Sequence, residues 1–160
     1  MTTNWYGMFY GCSNLSLSAV TDYIDLSGVT STSSMFFNCS SLTSVSNIDS
    51  WDFSSVTDMS YMFMGCSNFD NDLSSWNVSS VTDMSNLFDG CSSFVGAGLS
   101  SWDVSNVTNM FGLFYGCSIF DENIGGWDVS NAPDCVNILF ISTTLETSHP
   151  PIFWLNKDVP

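Results

Sequence analysis

The sequence predicts a solenoid, a stack of about five and a half coils of 25–27 residues, with an in-register parallel β-sheet and short 3₁₀ or helical turns. Three observations predict it. One phrase opens each unit: Trp51-Asp-Phe-Ser, Trp76-Asn-Val-Ser, Trp102-Asp-Val-Ser and Trp127-Asp-Val-Ser. A second follows: Met35-Phe-Phe-Asn-Cys-Ser, Met62-Phe-Met-Gly-Cys-Ser, Leu87-Phe-Asp-Gly-Cys-Ser and Leu113-Phe-Tyr-Gly-Cys-Ser. The distance between them is fixed, 15 residues for Trp51 to Cys66, Trp76 to Cys91 and Trp102 to Cys117. A period of 20 to 50 residues marks units that bury their apolar sides against neighbouring units.

From cysteine to the next tryptophan the distance varies: 12 residues from Cys39 to Trp51, 10 from Cys66 to Trp76, 11 from Cys91 to Trp102 and 10 from Cys117 to Trp127. Surface loops tolerate such variation and packed segments do not. The constant stretch is therefore the packed part of each unit, and an exposed loop follows each cysteine.

Within the constant stretch, Leu73-x-x-Trp76-x-Val78 and its copies at Ile48, Leu99 and Ile124 end in a period-two alternation, which predicts a strand. The run Val56-x-x-Met59-x-x-Met62-Phe63 is spaced by three and predicts a 3₁₀ or helical turn. Gly65, Gly90 and Gly116, each just before a cysteine, mark turn positions. Residues 2–9 align with Val56 to Phe63, so the chain begins inside a unit. The first full unit carries Ile24 in place of tryptophan. The last drifts at Ala132-Pro133, Cys135 and Ile138-Leu139. Residues 1–138 are read as the repeat domain and 139–160 as its C-terminal cap, with Ile152-Phe153-Trp154 where the next strand is due.

These phrases resemble a known family. L-x-x-W-x-V is similar to the strand of leucine-rich repeats with tryptophan at the middle site. M-F-x-G-C-S-x-F is similar to a phrase of BspA-like leucine-rich repeats, above all the W-D-V-S-x-V-T-x-M-x-x-M-F-x-x-C-S-x-F repeats of bacterial surface lipoproteins. The resemblance covers about residues 1 to 145. It implies a leucine-rich-repeat-like stack on an exposed surface, with adhesion or recognition as its role and no catalytic residues to carry over.

Sixteen acids stand against one base, Lys157, for a net charge of −15. Phosphate neutralisation needs lysine and arginine, so nucleic acid is excluded as a partner. Anionic membranes are disfavoured for the same reason. No stretch is long and apolar enough for membrane insertion, and the first twenty residues show no signal peptide. The location expected is an extracellular surface or a virion.

Cys12, Cys39, Cys66, Cys91 and Cys117 occupy one equivalent position and are expected to form an inward column of free thiols. Disulfides between neighbours and a zinc site are the alternatives, the latter lacking any C-x-x-C pair. In W-x-V the middle residue points outward, which lines up Asp25, Asp52, Asn77, Asp103 and Asp128. Like charges ~5 Å apart repel by roughly 1 kcal/mol in water. Ca²⁺ bridging Asp25, Asp52, Asp103 and Asp128 would relieve this. So would turns in which each carboxylate accepts nearby backbone N–H groups. Apart from Ca²⁺ no cofactor is expected. The serines of the W-D-V-S phrase and the single threonine of each unit are expected to satisfy backbone groups at the corners, and the tryptophans to be core residues.

No Ser–His or Cys–His constellation has a plausible orienting group, so an enzyme is not expected. The expected function is a non-enzymatic recognition or adhesion module that binds a protein or a glycan. Its candidate contacts are Asp70, Asp72, Asp121 and Glu122 on the variable loops and Trp5, Phe153 and Trp154 at the ends. The alternative is a structural decoration or fibre component that self-associates through its coil ends.

Overall fold

A computed structural model describes residues 4–21, 24–132 and 138. Apolar columns fill its centre. Phe9, Phe36, Phe63, Phe88 and Phe114 stack ring on ring, with centroids 5.2, 5.3, 5.9 and 5.8 Å apart. Trp76, Trp102 and Trp127 stack at 6.0 and 6.3 Å, tilted by only 8° and 1°. Phe69, Phe94 and Phe120 make a third column beside the phenylalanines. Burying one such side chain is worth ~1.5–3 kcal/mol, against ~1 kcal/mol for an ordinary hydrogen bond. These columns are therefore the main source of cohesion between repeats.

The expected solenoid with its in-register parallel β-sheet is not what the chain forms. Among the described residues there is no strand and no sheet. The only helices there are the 3₁₀ turns Ile48–Ser50 and Leu99–Ser101. Parallel pairing is confined to isolated bridges, Asn4–Ser31, Ser31–Asp58, Asp58–Asp83, Asp83–Asn109 and Leu17–Val45.

Hydrogen-bond direction explains why no sheet propagates. After the Asp58 bridge, alternate N–H groups leave the repeat: Met59, Tyr61, Phe63 and Gly65 donate to the carbonyls of Asp83, Ser85, Leu87 and Asp89 at 3.0, 2.9, 3.0 and 2.7 Å. The N–H groups between them turn back three residues, Met62 to Met59, Met64 to Tyr61 and Cys66 to Phe63, at 3.2, 3.2 and 2.9 Å. A parallel strand would donate to and accept from the same neighbour. Here each segment is a run of tandem tight turns that hands its donors one way only. The period of three in Val56-x-x-Met59-x-x-Met62 reflects those turns rather than a 3₁₀ helix. Left-handed backbone recurs at the start of each run, at Gly7, Ser34, Tyr61, Asn86 and Gly112, with φ of 62°, 57°, 60°, 53° and 63°.

The segment read as a strand is likewise an extended corner between turns. Trp76 N–H donates to Leu73 and Val81 N–H to Val78, at 3.1 and 2.9 Å. Side chains link these corners across repeats: Ser80 Oγ, Asn106 Nδ2 and Asn131 Nδ2 donate to the carbonyls of Ser54, Ser79 and Ser105 at 2.7, 2.8 and 2.7 Å. The alternation of sides is as read, with Trp76 and Val78 buried and Asn77 exposed. What is absent is the sheet.

Three of the four buried indole N–H groups among the described residues donate to the preceding repeat: Trp76 to Ile48, Trp102 to Leu73 and Trp127 to Leu99, at 3.1, 3.0 and 2.9 Å. Trp51 Nε1 has no partner, and neither does the buried hydroxyl of Thr32. Thr32 sits where later repeats place Met59, Met84 and Met110. The proposed cap, residues 139–160, lies outside the described residues.

Candidate functional site

The Asp row is built from turns. Asp25 Oδ1 accepts the N–H of Ser27 and Asp52 Oδ1 that of Ser54, both at 2.9 Å. Asp103 and Asp128 accept from Ser105 and Ser130 at 3.1 Å, and Asn77 from Ser79 at 3.2 Å. Such Asx turns explain why one short polar residue recurs two places before a serine. These bonds hold the carboxyls of Asp25, Asp52, Asp103 and Asp128 below the ordinary range. For Asp25 the main cause is the Ser27 N–H; for the other three it is the serine hydroxyl. Asn77 splits the row into two facing pairs. Asp52 raises Asp25 slightly, and Asp128 raises Asp103 slightly, by like-charge repulsion. Among the described residues no group of three or more His, Cys, Asp or Glu side chains gathers around a common point.

A second polar column runs along the bridges. Asp58 Oδ1 accepts from Ser60 N–H and Oγ at 2.9 and 2.7 Å, and its Oδ2 from Ser31 Oγ at 3.0 Å. Asp83 repeats this with Ser85 at 2.8 and 2.7 Å, and its Oδ2 accepts from Asn109 Nδ2 at 3.2 Å. The threonines Thr30, Thr57, Thr82 and Thr108 are exposed. Even so, Thr57, Thr82 and Thr108 Oγ1 each donate to the threonine carbonyl one repeat back, at 3.2, 3.1 and 3.1 Å.

The thiols form their expected column, free and unbridged. Cys39, Cys66, Cys91 and Cys117 are buried, while Cys12 is exposed. Each buried thiol donates at 3.0 Å to the carbonyl of Phe9, Phe36, Phe63 or Phe88 in the preceding repeat. Burial pushes Cys39 up to about 11 and Cys66 and Cys117 up to about 12, and raises Cys91 well above its usual value. Such thiols are core groups, not nucleophiles.

The post-cysteine loops are knitted to one another. Asp70 Oδ1 accepts from Val95 N–H at 3.2 Å and Asn71 Oδ1 from Val45 N–H at 2.9 Å. Asp72 Oδ1 accepts from Ser74 N–H at 2.9 Å, which lowers its pKa. Glu122 Oε1 accepts from Ser100 N–H at 3.3 Å, and Asp121 N–H donates to the Val95 carbonyl at 3.1 Å. Loop 40–50 exceeds loop 67–75 by two residues, and between them lies an open groove of about 510 Å³ lined by Ser44, Asn47, Asp49, Asn71, Asp72 and Ser75. Trp5 is half-buried against the core. Phe153, Trp154 and the lone His149 lie outside the described residues.

One surface escaped the sequence reading. The residue two places before each cysteine lies on the outside of the tandem turns, giving the column Tyr10, Phe37, Met64, Asp89, Tyr115. Tyr10 and Phe37 stack at 4.6 Å and 2°. Its fixed place in the cysteine phrase and its apolar types were the available signal; the inward phenylalanine column beside it made it look like core.

Residues 3–97 and 30–149 match the family described as "Mycoplasma protein of unknown function, DUF285". The chain belongs to this family. The two matches overlap over 30–97, as expected where a DUF285 unit recurs along one chain. This places the chain only loosely among the BspA-like repeats. No match was found among curated proteins or among solved structures.

Proposed function

We propose that this DUF285 chain is a non-catalytic recognition module, displayed on a cell or virion surface and binding another macromolecule. The observation that carries the reading is a division of labour within each repeat. Equivalent positions hold the Phe and Cys columns from repeat to repeat, and the tryptophans from Trp51 to Trp127. The loops between them vary in length and sequence and open a polar groove beside Asn71 and Asp72. A scaffold that repeats while its loops diverge is the economy of binding folds. The likeness of W-D-V-S-x-V-T and M-F-x-G-C-S to BspA-like repeats supports the same reading. So does the net charge of −15, which favours solubility and basic partners.

The test is loop substitution. The exposed loop residues Asn68, Asp70, Asp72 and Val95 are replaced together by serine while the buried Phe69, Leu73, Phe94 and Leu99 are kept, and adhesion of protein-coated beads to candidate host cells and glycan arrays is measured. Adhesion should fall while the melting temperature changes little. Adhesion equal to that of beads coated with unrelated acidic protein would sink the reading.

A structural role is the second reading, favoured by the first described turn. Tyr6, Met8 and Tyr10 there are 65%, 52% and 56% exposed, whereas Met62, equivalent to Met8, is fully buried. Concentration-dependent sedimentation that responds to Met8→Ser would support association through that end.

A further inference from the structure

We propose that the first described run of tandem turns, residues 4–12, is an acceptor face that takes the forward, donor-bearing end of a second copy of this chain, so that copies join head to tail. The proposal rests on the structural reading above, association through that end, and gives it a partner and a polarity.

Hydrogen-bond direction selects the occupant. A later run receives N–H groups from the run before it: the carbonyls of Asp58, Ser60, Met62 and Met64 accept from Thr32, Ser34, Phe36 and Asn38 at 3.0, 2.9, 2.9 and 2.7 Å. The equivalent carbonyls of Asn4, Tyr6, Met8 and Tyr10 accept no N–H from the described residues, and all four residues are exposed. Buried thiols donate to a phenylalanine carbonyl of the run before, as Cys66 does to Phe36, but the exposed Cys12 has no such acceptor among the described residues. Phe36 has a ring on each side, Phe9 and Phe63, whereas the one described ring stacked on Phe9 is Phe36. A run of this same type supplies the alternate N–H groups, the carbonyl and the ring all at once. Two such faces do not suit each other, since acceptors would meet acceptors and stay unpaired. A lipid surface fails for the same reason. Donation still points forward at the last described contact, Phe114 N–H to the Ile138 carbonyl at 2.9 Å. The forward end of a copy is therefore the one that brings donors.

Residue types and charge agree with this. Tyr6 stands where inner runs bury Ser33, Ser60 and Ser85, and Met8 is exposed where Met35 and Met62 are buried. Residues 1–21 carry no charged side chain, whereas 22–134 carry fourteen of the sixteen acids and no base. Copies that approach side by side set acids against acids. Contact through 4–12 keeps one side of the joint uncharged.

The test is sedimentation velocity of the full chain from micromolar to millimolar concentration at moderate salt. Near-ultraviolet circular dichroism checks that each variant keeps its tryptophan packing. Mass should grow past the dimer without a plateau, as an unclosed heterologous contact requires. Tyr6→Asp and Met8→Asp should each weaken association at least about tenfold. Tyr61→Asp adds the same charge in mid-stack and should change it less than about twofold. Met8→Asp keeps its donor end, so adding it to the parent protein should shorten the assemblies. A distribution that stops at the dimer, or parent assemblies that Met8→Asp does not shorten, overturns the head-to-tail joint. Association through this end still stands in those cases if Met8→Asp by itself stays monomeric. Growth that neither end variant weakens overturns both. A protein that remains monomeric at millimolar concentration also overturns both, and the loop substitutions then decide the recognition reading alone.

Discussion

The thiol of Cys66 donates a 3.0 Å hydrogen bond to the carbonyl of Phe36, thirty residues earlier in the chain. The same contact recurs at Cys39, Cys91 and Cys117. These thiols should resist a thiol-specific reagent until the protein unfolds, while Cys12 reacts at once. Their raised pKa also sets a pH dependence. A thiol whose folded value lies near 11 or 12 holds its proton more tightly than the unfolded chain does, whose value is 9.0. Its contribution is fully present below pH 9 and is lost as the pH climbs toward 12. Melting temperature should therefore be level from pH 7 to about 8.5 and fall above about 9. A Cys66→Ala, Cys117→Ala double variant should start lower and decline less steeply.

Trp102 and Trp51 occupy equivalent places with unequal bonding. The Trp102 indole satisfies the buried Leu73 carbonyl at 3.0 Å, whereas Trp51 Nε1 satisfies nothing. Phenylalanine at each site tests the difference. Trp102→Phe should cost ~1–2 kcal/mol more than Trp51→Phe, because it strands a buried acceptor. Urea unfolding midpoints at constant slope would measure this.

Thr32 buries an unpaired hydroxyl in a methionine column. Thr32→Val keeps the shape and removes the unpaired group, so stability should rise by ~1 kcal/mol. A decrease would show that the hydroxyl has a partner such as water.

Tyr61 holds a φ of 60°, where Asn86 and Gly112 sit at the same point of later repeats. A bulky residue is strained there by ~1–2 kcal/mol. Tyr61→Asn should recover ~0.5–1 kcal/mol. Gly65→Ala should lose more than ~1 kcal/mol, since φ is +75° and an added Cβ runs into Asn38 Oδ1. Thermal melts of the two variants should move in opposite directions.

At the Asp row, the turn needs an acceptor rather than a charge, as Asn77 demonstrates. Asp103→Asn should melt within about 1 °C of the parent, and Asp103→Ala should melt lower. Calcium chloride should raise the midpoint no further than sodium chloride of equal ionic strength. A sharp extra rise at micromolar calcium, abolished by EDTA, would instead establish an ordered ion.

Much of the arrangement was readable because burial follows sequence periodicity. Trp76, Val78, Met84, Phe88 and Cys91 point inward as their spacing requires, and Asn77 points out. The sheet was misread because period-two alternation reports which side a residue faces, not where its N–H goes. Only the bonding of alternate groups, Phe63 to Leu87 but Cys66 back to Phe63, separates a strand from tandem turns. Left-handed backbone was signalled by Gly65 and Gly90 but not by Ser34 or Tyr61, residue types that do not ordinarily mark it. The loop acids were found, yet that Asp70 and Asn71 bond to the adjoining repeat depends on loop lengths no motif encodes.

The one-way passage of N–H groups from Met59, Tyr61, Phe63 and Gly65 to the next unit recurs as the same directed coupling at the junctions among the described residues. A whole unit excised, or an extra one spliced in, would leave all donors still meeting acceptors. A unit inserted backwards would set like against like. Such an array can lengthen or shorten during evolution in whole-cassette steps without redesigning a single joint, while each cassette remains free to alter its outer decoration.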